Sequence, residues 1–362
     1  MIFRGMILRL RHVLVLVGIL LLIGALRAWA PGVLTPLLQL GLGRRGQDGA
    51  GQAIAPGVTL WDYPLGGLPP AGVSRWLEEL APHLAVAPER ARRDPVTGGN
   101  IPALDGLALD VPATVAALTT APPDTAVAPV FRRIPARPAL ADLEPAPIWQ
   151  GHPRRREVTL LVNVAWGNEH LPPIMAILAE QGVKTTFFLV GTWAERYPDL
   201  ARAIAEAGHE IANHGYQAGE RGPGNLDRDA LREHILRAAQ AIGRATGETT
   251  TFFSPHRGEI SPHMAAVSRA AGHQLIRWSL DTVDWRDPPP EVMVKRVLDG
   301  LHGGALILMH PRAVTVRALP DLLQGLGERG YRVVPLSTLL SPAPPAYLYP
   351  LPPRDYPGPP SP

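Results

Sequence analysis

Polar and ionisable side chains recur at the ends of short apolar runs in the C-terminal half of the chain. Imidazoles, carboxylates and amides bind metal ions and transfer protons in hydrolytic enzymes, so these positions could carry chemistry. A single histidine of this kind is more often a packing or surface residue, but several on one rim favour a site. In chain order they are Asn163, Asn168, His214, Ser254, His256, Asp281, Asp284 and His310.

The apolar runs alternate with helical patterns between residues 157 and 340. Seven such units predict a parallel barrel or a doubly wound sheet, and in both the carboxyl ends of the strands gather at one place. The polar residues should therefore converge in one mouth. The predicted strands are 158–164, 185–190, 209–212, 251–253, 274–280, 305–309 and 332–334, and the predicted helices are 170–181, 197–207, 227–246, 262–271, 291–298 and 319–329.

Four of these segments, in this order, resemble the polysaccharide deacetylase (NodB-type) family. They read TTFFLVGTWAERYPDLARAIAEAGHE, AGHEIANHGY, WSLDTVDW and GGALILMHP. The resemblance covers residues 157–340 and implies an α/β fold, a deformed (β/α) barrel of about seven strands. It also implies hydrolysis of a carbon–nitrogen bond in an N-acetylated polysaccharide.

The family's reaction depends on a divalent metal, zinc or similar. One aspartate is the base, a second aspartate and two histidines hold the ion, an arginine orients the base, and a final histidine protonates the departing amine. Carried over to this chain, the resemblance implies that His310 and Asp281 are the retained catalytic residues. His214 is the one retained metal-ligand position.

Four positions of the family pattern hold side chains that cannot perform its chemistry. Ala165 stands at the base, Trp166 at the metal aspartate, Ala218 at the second histidine and Ser254 at the orienting arginine. A catalytic divalent ion usually needs about three protein ligands, so no cofactor is assigned to this chain. The first motif, NVAWGNE, resembles a subgroup of sporulation-associated deacetylase-like proteins in which it is similarly altered.

One hypothesis is an enzyme of altered mechanism that acts on cell-wall glycan. In it, His214 and His256 would hold zinc together with Glu169 or Asp284, with Asn163 and His170 nearby. Each of these residues could equally cap a strand or face solvent.

A second hypothesis is a non-catalytic glycan-binding or scaffold protein of the cell envelope. Flat apolar rings suit sugar faces, although such rings also serve as barrel packing. In this second hypothesis the groove is lined by Trp166, Tyr216, Trp285 and Leu308.

A third hypothesis is a remnant that only bridges the membrane and partner proteins.

The N-terminus predicts export. Arg4, Arg9 and Arg11 precede an uncharged apolar run over 13–26, and a run of about 14 residues suits a signal peptide better than a full membrane span. Residues 1–30 are therefore predicted to be a signal peptide or a signal-anchor helix. The rest of the chain would be extracytoplasmic, membrane-anchored, or secreted if the signal is cleaved.

The remaining chain divides by composition. Residues 31–55 are predicted to be a linker and 56–122 a small α+β segment, with a helix over 72–80. This segment resembles a small peptidoglycan-binding module, although a plain spacer explains the same pattern. The proline-rich stretches 123–156 and 341–362 are predicted to be an extended connector and a tail.

Composition excludes several classes of function. The chain of 362 residues has no cysteine, which removes disulfides, thiolate metal sites and cysteine nucleophiles. Its net charge is +3 and it shows no basic stripe interleaved with aromatic residues, so nucleic acid is not expected as a partner. The expected partners are cell-wall glycan, and the membrane through the N-terminal helix.

Overall fold

The computed structural model describes residues 53–217 and 222–359. The predicted signal or anchor helix 1–30, nearly all of the predicted linker 31–55 and Ala218 lie outside these residues. Within the described stretches, no helix has both the length and the apolar character that crossing a bilayer requires.

A curled parallel sheet forms the centre of the described chain, as the alternating pattern predicts. Its strands are β8 (Glu157–Val164), β9 (Thr186–Leu189), β10 (Glu210–Asn213), β11 (Phe252–Phe253), β12 (Gln274–Leu275), β13 (Leu280–Asp281), β14 (Leu306–Met309) and β15 (Arg332–Val333). Seven of them follow one another in the order β12-β11-β10-β9-β8-β14-β13, and β15 also pairs with β8.

Strand β8 is apolar on both faces because each face meets a different core. All eight of its residues are buried. Leu160 and Val162 pack into an outer cluster with the surrounding helices, whereas Leu161 packs into an inner cluster with Phe188 and Leu336. Alternate residues of a strand point to opposite faces, so a strand between two cores reads as a continuous apolar run.

Helices cover the outer face and fill the inner one. Those that follow the first strands are each buried along one stripe against the sheet. In chain order from β8 they are α3 (Leu171–Glu180), α4 (Gly191–Arg196), α5 (Pro198–Glu206), α6 (Arg228–Thr246), α7 (Met264–Ala270), α8 (Pro290–Asp299), α9 (Ala313–Glu328) and α10 (Leu336–Leu340).

The predicted strand 274–280 is two strands instead of one. The backbone N–H of Ile276 donates to Phe253, that of Arg277 to Ile148, and that of Ser279 to Leu306. The segment therefore crosses from the β11 edge to the β14 edge. Between β12 and β13 the hydrogen-bond partner changes from one residue to the next, so the segment does not form one continuous strand.

The N-terminal segment has its own apolar core and extends beyond the predicted boundary at residue 122. Strand β6 pairs with β1 and β7 pairs with β5. The segment consists of β1 (Thr59–Leu60), β2 (Tyr63–Pro64), α1 (Pro70–Leu80), β3 (Arg92–Arg93), β4 (Asn100–Ile101), β5 (Gly106–Leu109), α2 (Val111–Thr120), β6 (Ala126–Val127) and β7 (Phe131–Ile134).

The proline-rich stretches are not free connectors. In 123–156 the prolines flank two short strands rather than interrupt them, a position that proline tolerates. Ile148 then pairs with Ile276 and Gln150 with Ala305, so the stretch closes the gap beside β12. In the tail, the carbonyl of Pro357 accepts the indole N–H of Trp76 at 2.9 Å.

Candidate functional site

A cavity of about 520 Å³ opens at the carboxyl ends of the strands, where the sequence places the polar residues. Its walls come from the segments that follow β8, β10, β11, β13 and β14, which the parallel topology brings to one end of the sheet. The lining residues are Asn163, Ala165, Trp166, His214, Gly222, His256, Arg257, Trp278, Asp281, Trp285, Leu308 and His310.

His310 is held by a buried carboxylate, that of Asp284. Its ring Nδ1 lies 2.8 Å from Asp284 Oδ1, and its backbone N–H donates to Asp284 Oδ2 at 2.6 Å. The hydroxyl of Thr315 donates to the same Oδ2 at 2.9 Å. Asp284 has no exposed surface, so this network fixes the orientation of the imidazole.

Asp281, predicted to be catalytic, has a different position. Its Oδ1 accepts the backbone N–H of Val283 at 2.8 Å, and its side chain lines the cavity. Val283 has a φ of 55°, a left-handed conformation that is costly for a β-branched residue. Asp281 therefore stabilises the loop that brings Asp284 under His310, and Asp284, not Asp281, contacts the imidazole.

The first altered motif fills the site with apolar atoms. The indole of Trp166 stacks on the imidazole of His310, with ring centroids 5.7 Å apart and planes inclined by 10°. The methyl group of Ala165 packs against the outer core cluster. Gly167, at φ 80°, allows this turn to approach Pro311, where a Cβ atom would lie 2.1 Å from the carbonyl oxygen.

Two neighbouring imidazoles form the inner wall. The rings of His214 and His256 lie 4.1 Å apart between centroids, and His214 Nδ1 is 2.7 Å from the carbonyl oxygen of Ser254. Burial lowers the pKa of His256 to about 4, with smaller contributions from His234 and Arg257. Burial also lowers the pKa of His214 well below 6.5, so both rings are neutral at pH 7.

These residues do not fit the family's metal ion. In the two stretches 53–217 and 222–359, no three histidine or carboxylate side chains converge as metal ligands. Asp284 is engaged by His310 and Thr315. Glu169 and His170 instead face each other on an exposed turn, at 3.4 Å between Oε1 and Nε2.

Of two further predicted residues, Asn163 and Tyr216, only the first lies among the described lining residues of the cavity. Asn163 lines the cavity and its Oδ1 is buried without a hydrogen-bond partner among the described residues. Tyr216, predicted to line the groove, is absent from its walls. Its hydroxyl donates to Glu195 at 3.1 Å and its ring lies under the guanidinium of Arg237, because the turn after β10 directs it towards α4 and α6.

Sequence reasoning missed three lining residues, Gly222, Arg257 and Trp278. Trp278 opens the motif WSLDTVDW, which carries the family resemblance, and Arg257 follows the altered position Ser254 by three residues, so both positions offered a usable signal. Trp278 lies in the stretch that was predicted to be a strand, where a side chain on either face was possible. Gly222 follows residues 218–221, which lie outside the description.

Comparison with known proteins agrees with this geometry. Residues 150–276 match the family model described as polysaccharide deacetylase. The uncharacterized protein YlxY of Bacillus subtilis is 33% identical over 266 residues, which cover 73% of this chain and 82% of that protein. A peptidoglycan-N-acetylglucosamine deacetylase of Bacillus cereus is 29% identical over 196 residues, 53% of this chain and 70% of that protein.

Among solved structures, the chain is similar to BA3943 of Bacillus anthracis, described as a CE4 family pseudoenzyme. The identity is 32% and the TM-score 0.66, over 75% of this chain and 95% of that one. A mutant of BA3943, described as having restored enzymatic activity, matches at 31% identity and a TM-score of 0.66, over 75% of this chain and 98% of that chain.

Proposed function

Because this chain belongs to the polysaccharide deacetylase family, we propose that it binds N-acetylated glycan in its cavity without hydrolysing the acetamide. The observation that carries the proposal is the stacking of Trp166 on His310. By the family pattern, Trp166 stands where an aspartate ligates the metal. An indole neither ligates the cation nor accepts a proton, and here it stacks beside the imidazole that, by the family pattern, would protonate a leaving amine.

The relatives support this interpretation at the level of the family. BA3943, similar over three quarters of the chain, is described as a pseudoenzyme. The Bacillus cereus relative is described as a peptidoglycan-N-acetylglucosamine deacetylase, which supports an amino-sugar glycan as the ligand class. We extend both points to this chain as parts of the proposal.

The cavity offers contacts that suit a sugar. Trp166 and Trp285 are 44% and 48% exposed, and both line the cavity. Large aromatic side chains that remain exposed at a concave site supply flat contact area for a sugar face. Asn163 Oδ1 and His256 Nε2 are buried without partners among the described residues, so each is available to a hydroxyl or amide of the ligand.

We propose that the protein acts at the cell envelope, outside the cytoplasm. The support is the arginine-flanked apolar run before residue 30 and the glycan chemistry of the relatives. Fractionation of cells that produce the full chain, with protease protection of the C-terminal part, tests this placement.

A calorimetric titration with chitotetraose tests glycan binding. Full-length protein should bind the sugar, and the double variant Trp166→Ala, Trp285→Ala should bind at least tenfold more weakly because both exposed rings are lost. Leu351→Ala is the matched control, since Leu351 is 74% exposed and is not a lining residue. Equal affinity of the double variant and the wild type would remove the cavity from the proposal.

One observation favours residual hydrolysis as a second candidate function. The pair formed by His310 and Asp284 is complete, so a proton donor remains in the site. Release of acetate from the same saccharides distinguishes the two functions. We expect background release from the wild type, and zinc-dependent release only after Ala165→Asp, Trp166→Asp, Ala218→His and Ser254→Arg are combined.

A further inference from the structure

We infer that the mouth of the cavity selects a glycan that carries an anionic group, a carboxylate or a phosphate on the sugar. This inference rests on the proposed function of the same cavity and names its ligand class more closely. It comes from a repeated pairing of arginine with tryptophan around the lining.

The two exposed lining tryptophans each carry a guanidinium group. The guanidinium carbon of Arg312 lies 5.5 Å from the centre of the Trp166 ring, and that of Arg286 lies 4.6 Å from the Trp285 ring. Trp166 follows β8 and Trp285 follows β13, while His310 follows β14, which lies between these two strands. The two tryptophans therefore belong to segments on either side of His310, and Arg312 follows His310 on the segment between them.

Two more arginines lie near the lining. Arg257 lines the cavity itself, with an exposed side chain and a backbone φ of 55°. The guanidinium carbon of Arg277, which is not a lining residue, lies 4.4 Å from the ring of the lining residue Trp278 and 4.7 Å from that of Trp149, and its Nε and Nη1 atoms are buried without hydrogen-bond partners among the described residues. Across the described residues, no carboxylate oxygen lies within 4.0 Å of any of these four guanidinium groups.

Four carboxylates of the described residues lie on segments that border the mouth. Asp281 is the one carboxylate among the lining residues described, and Asp284 is buried beneath His310. Glu259 lies behind Gly222, where a Cβ atom would be 1.7 Å from its Oε2, and Asp287 directly follows Arg286 on an exposed loop. One carboxylate and one arginine of the described residues line the cavity, and none of the four guanidinium groups forms an ion pair with a described carboxylate.

Stacking prepares these side chains to bind an anion. A guanidinium over an indole keeps its in-plane N–H groups free, and their fork matches the two oxygens of a carboxylate or phosphate. The side chain is already ordered by the ring, so less conformational freedom is lost on binding. The inner wall is formed by the two buried imidazoles of His214 and His256, whereas the guanidinium groups stand at the rim.

Matched saccharides test this selection. The probes are a tetrasaccharide of N-acetylglucosamine and N-acetylmuramic acid, the same tetrasaccharide with its lactyl carboxylates methyl-esterified, chitotetraose, and chitotetraose phosphorylated at one 6-hydroxyl. Calorimetry with full-length protein should give about tenfold tighter binding of the carboxylate than of its methyl ester. The affinity for the phosphorylated chitotetraose shows whether the rim also binds a phosphate in place of the carboxylate.

Variants assign the preference to the rim. Arg286→Gln combined with Arg312→Gln should abolish the advantage of the anionic sugar, so that the carboxylate and its methyl ester bind with equal affinity. Arg228→Gln is the matched control, because Arg228 is exposed at the start of α6 and is not a lining residue. Raising salt from 50 to 500 mM should reduce the advantage in the wild type and not in the double variant.

The outcomes separate the inference from the function on which it rests. If neutral and anionic sugars bind equally, and the double variant behaves as the wild type, the inference is wrong and the proposed function stands. If no saccharide binds at all, both are wrong.

Discussion

The carboxylate of Asp284 is the most highly connected group in the site. It accepts two hydrogen bonds from His310, at the ring and the backbone, and one from Thr315. A fully buried carboxylate with three donors is stabilised by them, and the donors in turn depend on it. This network persists although the residues that once surrounded it in the family pattern are gone.

Asp284→Asn should therefore destabilise the fold by about 2–3 kcal/mol, because the side-chain NH2 group of the new asparagine would point at one of the groups that now donate to Asp284. Asp281→Asn is the matched control. Its side-chain oxygen can still accept the N–H of Val283, so its cost should be below about 1 kcal/mol. Urea denaturation of both variants measures the difference, and equal costs would contradict the assigned roles.

Sequence alone assigned the catalytic role to Asp281, whereas in the structure Asp284 contacts His310. The two aspartates lie three residues apart in WSLDTVDW, and either could have reached His310. The turn between them decides, because Val283 takes a left-handed conformation that no local propensity favours. The altered positions Ala165 and Trp166 were predictable since they needed only alignment to a motif, whereas the stacking of Trp166 on His310 depends on tertiary packing.

Among the helices and strands, one buried and one half-buried histidine link stability to pH. Burial lowers the pKa of His209 to about 4, and burial with the nearby Arg237 does the same for His234. A ring nitrogen of each accepts a backbone N–H, from Thr185 at 3.3 Å and from Tyr216 at 3.2 Å. A protonated ring could not accept these hydrogen bonds.

The free energy of unfolding should therefore fall as pH drops from about 6.5 to about 4. In this window the unfolded chain binds protons that the folded chain does not, so stability is complete above the window and is lost towards its lower end. The slope should approach 1.4 kcal/mol per pH unit for each histidine. Urea denaturation of the wild type and of His234→Gln measures it, and an unchanged slope in the variant would contradict the account.

Long periodic elements were predicted well, and short or interrupted ones were not. The predicted helix 227–246 agrees with the observed α6 to within a residue, since its apolar stripe and its Asp227 cap are both local signals. Helix α9 begins at Ala313 rather than the predicted 319 and contains Pro320. Strands β12 and β13 were predicted as one because their change of partner depends on the curl of the sheet.

At the scale of the whole molecule, the C-terminal stretch joins the N-terminal segment to the sheet. The backbone N–H of Asp105 donates to Pro342, and Arg155, buried at the entry of β8, donates to the carbonyl of Ala343 at 2.6 Å. Further on, Tyr356 packs against the core of the N-terminal segment. Composition predicted a tail because proline-rich sequence forms no core, but carbonyl groups and tyrosine rings suffice to dock it.

Removal of residues 345–362 should therefore lower the melting temperature by several degrees, since about 1 kcal/mol corresponds to roughly 2–4 °C in a protein of this size. Trp76→Phe tests one contact, because it removes the hydrogen bond to Pro357 together with the five-membered ring of the indole but leaves the docked stretch in place. We expect a smaller decrease for it in differential scanning calorimetry. A truncated chain that melts as the wild type does would show that the docked stretch adds no stability.

The parallel sheet of the family thus persists, while the positions that hold the base and the metal in the family pattern carry Ala165, Trp166 and Ala218. The match to the family and the retained sheet were predictable from strands and motifs along 157–340. The roles of 123–156 and 341–362 were not, because they depend on contacts between residues far apart in the sequence.

The zinc content of the full-length protein tests the central claim most directly. After equilibrium dialysis against micromolar zinc, mass spectrometry of the metal should find far less than one tightly held ion per chain, because Ala165, Trp166 and Ser254 supply no ligand or oriented base. One zinc ion per chain that survives dialysis into metal-free buffer and is lost in His214→Ala would contradict it.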